Sequence, residues 1–514
     1  MQNDNLEKRS NIQILKGSGM AYLATAVNII SGIVYTPWMI RQIGQSSYGL
    51  YTLAVSLISL LMFDFGIGTA LTRFAARFRA EEDTTGLEKF IGMVYKMYFL
   101  LDAVILAVCC TLFFMLGTMY KNLTPGELAT FRVIFVMVVG YNLIAFPLTT
   151  LEGVLGAYEE FAVLKGCQLL TRVLTIIFVV VSLAAGFGLY ALVLANILSG
   201  LLTLAFKWWY VHKKLHVRIL WNRTDTVLLK EVMGFSLWST VGGTAGTLCT
   251  NLMPSFVAAA AGTAETAIYG AAQTLNGYAY YLTSAVGGLF LPKVTRILKG
   301  ESAEENLTKL AIRVGRILMY ICAIVLVGFF AVGDRFFVLW MGEDYRIAYY
   351  AACFLLCGEM IPTPNQVLTT AMTAAGCVKP VAINRMVTTI FIFAAGTVAC
   401  STFGAVGAAA CIGIGYLVRG MTELILQGKY LKVDIGRYLW RIYGSAAPYL
   451  LLGIACRMLV KKIVISGWLI LFVEIAAIVI LYAAVTWFCV ANSEEKRILR
   501  ASWQKLRKRK EMRP

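Results

Sequence analysis

The amino-acid sequence predicts an all-α polytopic membrane protein with about 14 transmembrane helices, grouped as two pseudo-symmetric six-helix bundles plus two C-terminal helices. Three observations support this fold: the length of the apolar runs, the distribution of positive charge and a weak internal repeat. Of the 514 residues, 59% are hydrophobic and 14% are charged. In soluble domains about 45–50% of the residues are apolar and about 25% are charged. Runs of the roughly 20 apolar residues that cross a bilayer fill the chain almost from end to end.

Charged residues, Gly and Pro mark the boundaries between these apolar runs. They predict helices that begin near Gly17, Tyr48, Phe90, Phe131, Ala162, Leu189, Val232, Thr266, Ile312, Tyr349, Val381, Val406, Ile442 and Ser466. The predicted parts are a cytoplasmic amphipathic N-terminus (1–16), a first lobe (17–210), a basic cytoplasmic linker (211–231), a second lobe (232–428), the last two helices (429–491) and a basic cytoplasmic tail (492–514). Segments such as GEMIPTPNQV contain Gly and Pro, as do the broken helices of transporters and static kinks.

Positive charge is distributed unevenly between the predicted loops. With a cytoplasmic N-terminus, 34 of the 46 Lys and Arg residues lie in the termini and even-numbered loops, and eight, including Arg335 and Arg457, lie in odd-numbered loops. This asymmetry predicts that both termini are cytoplasmic. The net charge of +18 therefore indicates contact with anionic membrane lipids and not with nucleic acid. The segment RMLVKK, basic on the predicted outer side, does not fit this pattern.

The repeat appears at two positions in the predicted bundles. Gly44 precedes Tyr51 by seven residues, and Gly262 precedes Tyr269 by the same interval, at an offset of 218. Later, FGLYAL is echoed by FGAVGA at an offset of 216. Parallel repeats in a membrane protein are typical of transporters with a substrate path between the halves.

Several polar side chains lie within the apolar helices, where an ionisable group is costly unless it faces a cavity or a partner. The cations expected to line an inward-accessible, phosphate-binding cavity are Lys96, Arg172, Arg385 and Arg419, with Arg73 near its cytoplasmic end. The polar residues expected to extend the path, or to tie pairs of helices together, are Asn28, Asn142, Asn251, Gln273 and Asn276. Nearly all twelve cysteines lie in apolar runs and both histidines lie in a basic loop, so we expect no metal site and no cofactor.

Two carboxylates complete the set of candidate residues. Asp64 lies in an apolar run, and Arg73 is nine residues further along the same helix, roughly on its opposite face. Its partner must therefore come from another helix, with Arg172 the best candidate and Lys96 the alternative. Asp64 is either a salt-bridge partner or a coupling-ion site. Glu423 follows Arg419 by four residues and can pair with it locally.

The stretch RQIGQSSYGLYTLAVSLISLLMFDFGIGTALTRFAARF resembles the first helical hairpin of the polysaccharide biosynthesis (Wzx-type) flippase family. The residues that carry the resemblance are Gly44, Tyr48, Gly49, Tyr51, Asp64, Gly66, Gly68 and Arg73. VLWMGEDYRIAYYA and AAGCVKPVAINR are similar to later segments of that family. This family belongs to the multidrug/oligosaccharidyl-lipid/polysaccharide (MOP) exporter superfamily, which implies a MATE-like two-lobed fold.

The resemblance implies that the protein is not an enzyme. It implies a flippase that moves an undecaprenyl-diphosphate-linked glycan from the inner to the outer leaflet of a bacterial plasma membrane by alternating access. The partners would be this anionic lipid-linked glycan, Na+ or H+ as a coupling ion, and other polysaccharide-assembly proteins.

The alternatives within the superfamily are a lipid II flippase and a multidrug/cation antiporter. A multidrug antiporter usually has twelve helices and an acidic cavity. The two additional C-terminal helices and the cationic residues expected in the cavity therefore disfavour this alternative. A membrane-embedded glycosyltransferase would need a large extramembrane loop or an acidic catalytic pair at an interface. The longest outer loops, such as GTMYKNLTPGELAT, are short, and we expect the adjacent carboxylates Glu343 and Asp344 to begin a helix. No nucleotide-binding loop is visible in the sequence.

Overall fold

The computed structural model describes residues 23, 26–62, 66–221, 226–287, 294, 297–298, 300, 302–444, 446–462, 467–493 and 495–497. These residues form helices and short connections, with no strand among them, which confirms the predicted all-α membrane fold. Eight helices of this described part are long and apolar enough to cross a membrane. The total of about 14 spans stays a prediction. Asp64 lies outside the described residues.

The chain forms two compact units, the first built from 1–278 and 378–415 and the second from 279–377 and 416–514. The helices that begin in unit 1 are α1 (26–43), α2 (Gln45–Leu61), α3 (Ile67–Ala80), α4 (Thr84–Met119), α5 (Pro125–Leu148), α6 (Thr150–Ala157), α7 (Phe161–Ala184), α8 (Leu189–Lys213) and α9 (Thr226–Gly287). The lobe boundaries expected from the sequence stay a prediction.

The repeated glycines have matching backbone conformations. Gly44 (φ 80°, ψ 165°) precedes α2, and Gly262 (φ 86°, ψ −174°) divides α9 into two segments. A positive φ strains residues with a side chain, so glycine suits both positions. Each glycine therefore lets the chain change direction at the start of a helical segment.

The core of unit 1 lies where α3, α4 and α6 meet. Its buried aromatic residues include Phe74, Phe90, Tyr98 and Phe146, and the rings of Tyr98 and Phe146 meet edge to face at 4.9 Å. At its rim, the buried ammonium group of Lys207 on α8 forms a 2.5 Å ion pair with the half-exposed carboxylate of Glu152 on α6.

Unit 2 is built around one long helix. Its helices are α10 (Ala303–Met341), α11 (Ala348–Gly358), α12 (Gln366–Ala374), α14 (Ile435–Tyr443), α15 (Ala446–Lys461) and α16 (Trp468–Val485); α13 (Val378–Leu431) begins in unit 1, kinks at Gly404 and ends in unit 2. Turns at 359–365 break the chain between α11 and α12, where the sequence has the segment GEMIPTPNQV.

Ion pairs join α10 to the C-terminal helices. Arg335 on α10 forms a buried pair with Glu474 on α16, and Arg457 on α15 binds both carboxylate oxygens of Asp334 at 2.6 and 2.9 Å. The second pair explains why RMLVKK has an arginine on the predicted outer side, because Arg457 neutralises Asp334 on the neighbouring helix.

Candidate functional site

Arg172 is the best-placed of the predicted cationic residues in unit 1. It lies on α7, and its Nε–H donates to the hydroxyl of Ser31 on α1 at 3.4 Å. It also interacts electrostatically with Tyr35 on α1 and Tyr51 on α2. A partly buried guanidinium thus lies among hydroxyl groups of two other helices, which can orient it without neutralising it.

The hydroxyl groups near Arg172 are themselves tied to further helices. Asn196 on α8 donates to the hydroxyl of Tyr51 at 3.1 Å, and the Tyr48 and Tyr51 rings stack at 6.3 Å. Tyr48 in turn hydrogen-bonds with Thr274 in the second segment of α9. We call the set Ser31, Tyr35, Tyr48, Tyr51, Arg172 and Asn196 the arginine–tyrosine cluster. Of this set, only Arg172 was predicted as a site residue; Tyr48 and Tyr51 were noted as residues that carry the family resemblance.

The other predicted cations of unit 1 have different surroundings. Arg73 on α3 has an exposed side chain whose guanidinium lies 6.0 Å from the centre of the Phe74 ring. Lys96 on α4 and Arg385 on α13 are partly buried. A common cavity for these residues and Arg172 stays a prediction.

The predicted polar residues of unit 1 make contacts of different kinds. Gln273 donates to the carbonyl of Thr250 at 2.6 Å and so joins the two segments of α9. Asn28 and Asn251 accept hydrogen bonds through their backbone carbonyls. Buried Asn142 donates to the carbonyl of Val138 within α5 at 2.9 Å.

In two of the predicted asparagines, a buried side-chain oxygen makes no hydrogen bond within the described residues. These atoms are Oδ1 of Asn142 and Oδ1 of Asn276. Such an oxygen is costly to bury unless a partner reaches it. Both residues therefore remain candidates for the polar path.

A second group of hydrogen bonds lies where α2, α5 and the second segment of α9 begin. The Thr263 hydroxyl donates to Glu127 at 2.6 Å and lies 2.9 Å from the Ser46 hydroxyl, which also binds Glu127. Glu127 forms a capping box with Thr124 at the start of α5. We call Ser46, Glu127 and Thr263 the helix-start cluster. The S/T-x-x-E spacing of a capping box was the available signal for Glu127.

Arg419 and Glu423 lie in unit 2, on the last part of α13. The guanidinium of Arg419 stacks on the Tyr416 ring at 3.9 Å and interacts electrostatically with Glu359. The Glu423 side chain is buried. Glu359, which begins the break between α11 and α12, was not predicted as a site residue. The signal was a lone acidic residue in an apolar run, three residues before the first of two prolines.

Comparisons with known proteins agree with this fold. The profile of the family described as "Polysaccharide biosynthesis protein" matches residues 14–297. No curated protein matches the chain at a significant level. Among solved structures, "Lipid II flippase MurJ, inward closed conformation" matches with a TM-score of 0.71 and 10% identity, covering 92% of this chain and 98% of that one.

Two structures of a multidrug resistance transporter are also similar. The inward-facing conformation of a MATE family transporter of the MOP superfamily gives a TM-score of 0.59 at 15% identity, covering 83% of this chain and 99% of that one. The outward-facing conformation gives 0.57 at 14% identity, covering 83% and 96%. At such low identity these likenesses establish the fold, and the fold alone does not determine function.

Proposed function

Because the chain belongs to the polysaccharide biosynthesis protein family, we propose that it is a flippase for an undecaprenyl-diphosphate-linked oligosaccharide. In this proposal it moves the glycan from the inner to the outer leaflet of a bacterial plasma membrane by alternating access, with both termini cytoplasmic. The observation that carries the proposal is the arginine–tyrosine cluster, which holds a guanidinium among hydroxyl groups inside apolar helices.

The chemistry of this cluster suits a diphosphate. A guanidinium has five N–H donors in a planar fork that matches phosphate oxygens. In Arg172 the Nε–H is directed at Ser31, and the fork has four further N–H groups. An isolated cation is expensive at membrane depth, and Arg172 forms no ion pair within the described residues, so an anionic head group bound there would gain attraction. Tyrosine hydroxyls can add neutral hydrogen bonds to the same oxygens.

The lipid tail of such a substrate would stay in the bilayer while the diphosphate and glycan cross through the protein. Arg385 and Lys96 would provide further positive charge along the path, and Na+ or H+ would drive the cycle. Delivery and removal of the glycan would bring the protein next to other polysaccharide-assembly proteins. Transport of this kind makes and breaks no covalent bond in the substrate.

The proposal can be tested by determining which leaflet contains the lipid-linked oligosaccharide. The gene is deleted in its host, and wild type, Arg172→Ala, Arg385→Ala or the double variant is added back. We expect the oligosaccharide to build up in the inner leaflet after deletion, and wild type but not the double variant to restore its transfer at equal expression. Arg346→Ala removes an exposed arginine whose ion pair among the described residues is with nearby Glu343; it is the matched control and should restore transfer fully.

Other outcomes would contradict the proposal in distinct ways. Accumulation of lipid II with normal oligosaccharide transfer would indicate a lipid II flippase. Normal transfer of both lipids with altered drug or cation sensitivity would indicate a multidrug/cation antiporter.

A further inference from the structure

The connection between α13 and α15 in unit 2 lies where the chain leaves the membrane and enters it again. The last part of α13 has large apolar side chains on its exposed face, such as Met421 and Ile425. The exposed face of α15 is also apolar, with Leu450 and Ile454. Lys429 is exposed one helical turn after Ile425, as expected of a basic side chain that reaches the head groups at the end of a membrane helix. The connection, which consists largely of α14, therefore lies at the level of the lipid head groups.

Contacts with α10 determine which face of α14 is exposed. Tyr438 and Ile442 are buried, and Gly315 on α10 lies so close to both that a Cβ atom there would touch them. One turn of α14 is also held through its backbone, because Arg316 on α10 donates to the carbonyl of Arg441 at 2.8 Å. These contacts fix α14 on unit 2 by one face and leave the opposite face outward.

The outward face of α14 combines one large aromatic ring with two positive charges. Trp440 is 78% exposed, and Arg437 and Arg441 are exposed beside it. Spacings of three and four residues place these side chains on one face of a helix. Tryptophan is enriched at membrane interfaces, and helices that bind there have basic residues together with such rings. We call Arg437, Trp440 and Arg441 the α14 surface.

The charge around the α14 surface is positive. Residues 429–441 include four basic residues and one acidic residue. The adjoining start of α10, 303–313, has two basic and two acidic residues. Its two glutamates interact with Lys309, Lys432 and Arg437, so their charge is already balanced by basic neighbours. Together the two segments have a net charge of +3, which attracts an anionic group at the membrane surface.

We propose that the α14 surface binds the head group of an anionic phospholipid, which lies in the inner leaflet in the predicted orientation. Each guanidinium presents a planar fork of donors that matches phosphate oxygens, and two arginines one turn apart can hold one phosphodiester from two sides. Trp440, next to both, would place its ring beside the upper part of the acyl chains. A zwitterionic lipid has an ammonium group of its own and gains less from the positive charge. This proposal concerns the surrounding phospholipid and does not rest on the proposed function.

The test uses the full-length protein in phosphatidylcholine vesicles that contain increasing fractions of brominated phosphatidylglycerol or brominated phosphatidylcholine. Bromine atoms on the acyl chains quench the fluorescence of a tryptophan in contact with them. The chain has ten tryptophans, so the contribution of Trp440 is the difference between wild type and Trp440→Phe. We expect brominated phosphatidylglycerol to quench this contribution at a mole fraction at least about fivefold lower than brominated phosphatidylcholine, since about fivefold is the effect of one basic residue near a charged surface.

Matched variants separate the α14 surface from net charge. Arg437→Gln/Arg441→Gln, paired with its own Trp440→Phe counterpart, should lower the lipid preference at least about fivefold. Lys461→Gln/Lys462→Gln removes two exposed basic residues at the far end of α15 and should keep the full preference. Arg437→Gln alone should show a smaller loss and replaces the double variant if that protein does not enter vesicles.

Three results would overturn the proposal. The first is equal quenching of Trp440 by the two lipids in the wild-type protein. The second is an unchanged preference in the arginine variants. The third is a Trp440 contribution that neither brominated lipid quenches, which would place the α14 surface in water or against another protein.

Discussion

Replacing Gly49 by alanine should push α2 away from the second segment of α9. A Cβ atom on Gly49 would lie 2.8 Å from the carbonyl carbon and 3.1 Å from the Cα of Thr263, and closest to its carbonyl oxygen. These are backbone atoms, which cannot rotate away. Since ordinary contacts begin at 3.4 Å, the carbonyl carbon alone requires the helices to separate by about 0.6 Å, and the closer oxygen requires more. Such overpacking costs ~1–3 kcal/mol.

The same displacement should weaken the helix-start cluster. Ser46 lies one turn before Gly49 and only 2.9 Å from the hydroxyl of Thr263. Alanine has a better helix propensity than glycine by ~0.5–1 kcal/mol, which offsets part of the clash. We therefore expect Gly49→Ala to destabilise unit 1 by about 1–2 kcal/mol.

The measurement is thermal unfolding in detergent together with hydrogen exchange of the α2 amides. Gly140→Ala is the matched control, because Gly140 lies in a helix and a Cβ atom there would meet nothing within 4 Å. That variant should gain ~0.5–1 kcal/mol. The reasoning is refuted if Gly49→Ala unfolds at or above the temperature of Gly140→Ala, with unchanged exchange in α2.

Three further substitutions test other parts of the structure by thermal unfolding. Glu474→Gln leaves the buried guanidinium of Arg335 without its carboxylate and should lower the free energy of unfolding by ~3–5 kcal/mol. Replacing both residues by leucine should lower it much less, and equal losses in the two variants would contradict this reasoning. Lys207→Met removes a buried ammonium whose partner Glu152 is half exposed, so we expect the free energy of unfolding to change by no more than about 1 kcal/mol. A larger loss would show that the ion pair stabilises the protein more than this reasoning allows. Gly342→Ala places a side chain at φ 106° with open space around it and should cost ~1–2 kcal/mol from backbone strain alone, while an unchanged unfolding temperature would show that the backbone relaxes.

Much of the fold follows from the sequence because run length and hydrophobicity control what can cross a bilayer. The glycine repeat also located two backbone turns, at Gly44 and Gly262, since positive φ angles favour that residue. The candidate site was harder to predict. Apolar helices look alike on all faces, so the sequence shows that Arg172 lies within an apolar helix but not that Tyr35 and Tyr51 lie near it. The break in the helix at Glu359 can be recognised from the local sequence. The interaction of Glu359 with Arg419 cannot, because the two residues are 60 positions apart in the chain.

The buried ion pairs of unit 2 alter the interpretation of loop charge. Arg335 and Arg457 were counted among the eight basic residues of the predicted outer loops, yet each lies in a helix and binds a carboxylate. The positive-inside rule concerns basic residues that are free to interact with the translocation machinery and lipid head groups. Lys207 and Arg316, which were counted on the inner side, also lie in helices and pair with carboxylates, so without these four residues the outer total falls to six and the inner total to 32. The asymmetry thereby increases, and the orientation with both termini in the cytoplasm becomes a stronger prediction.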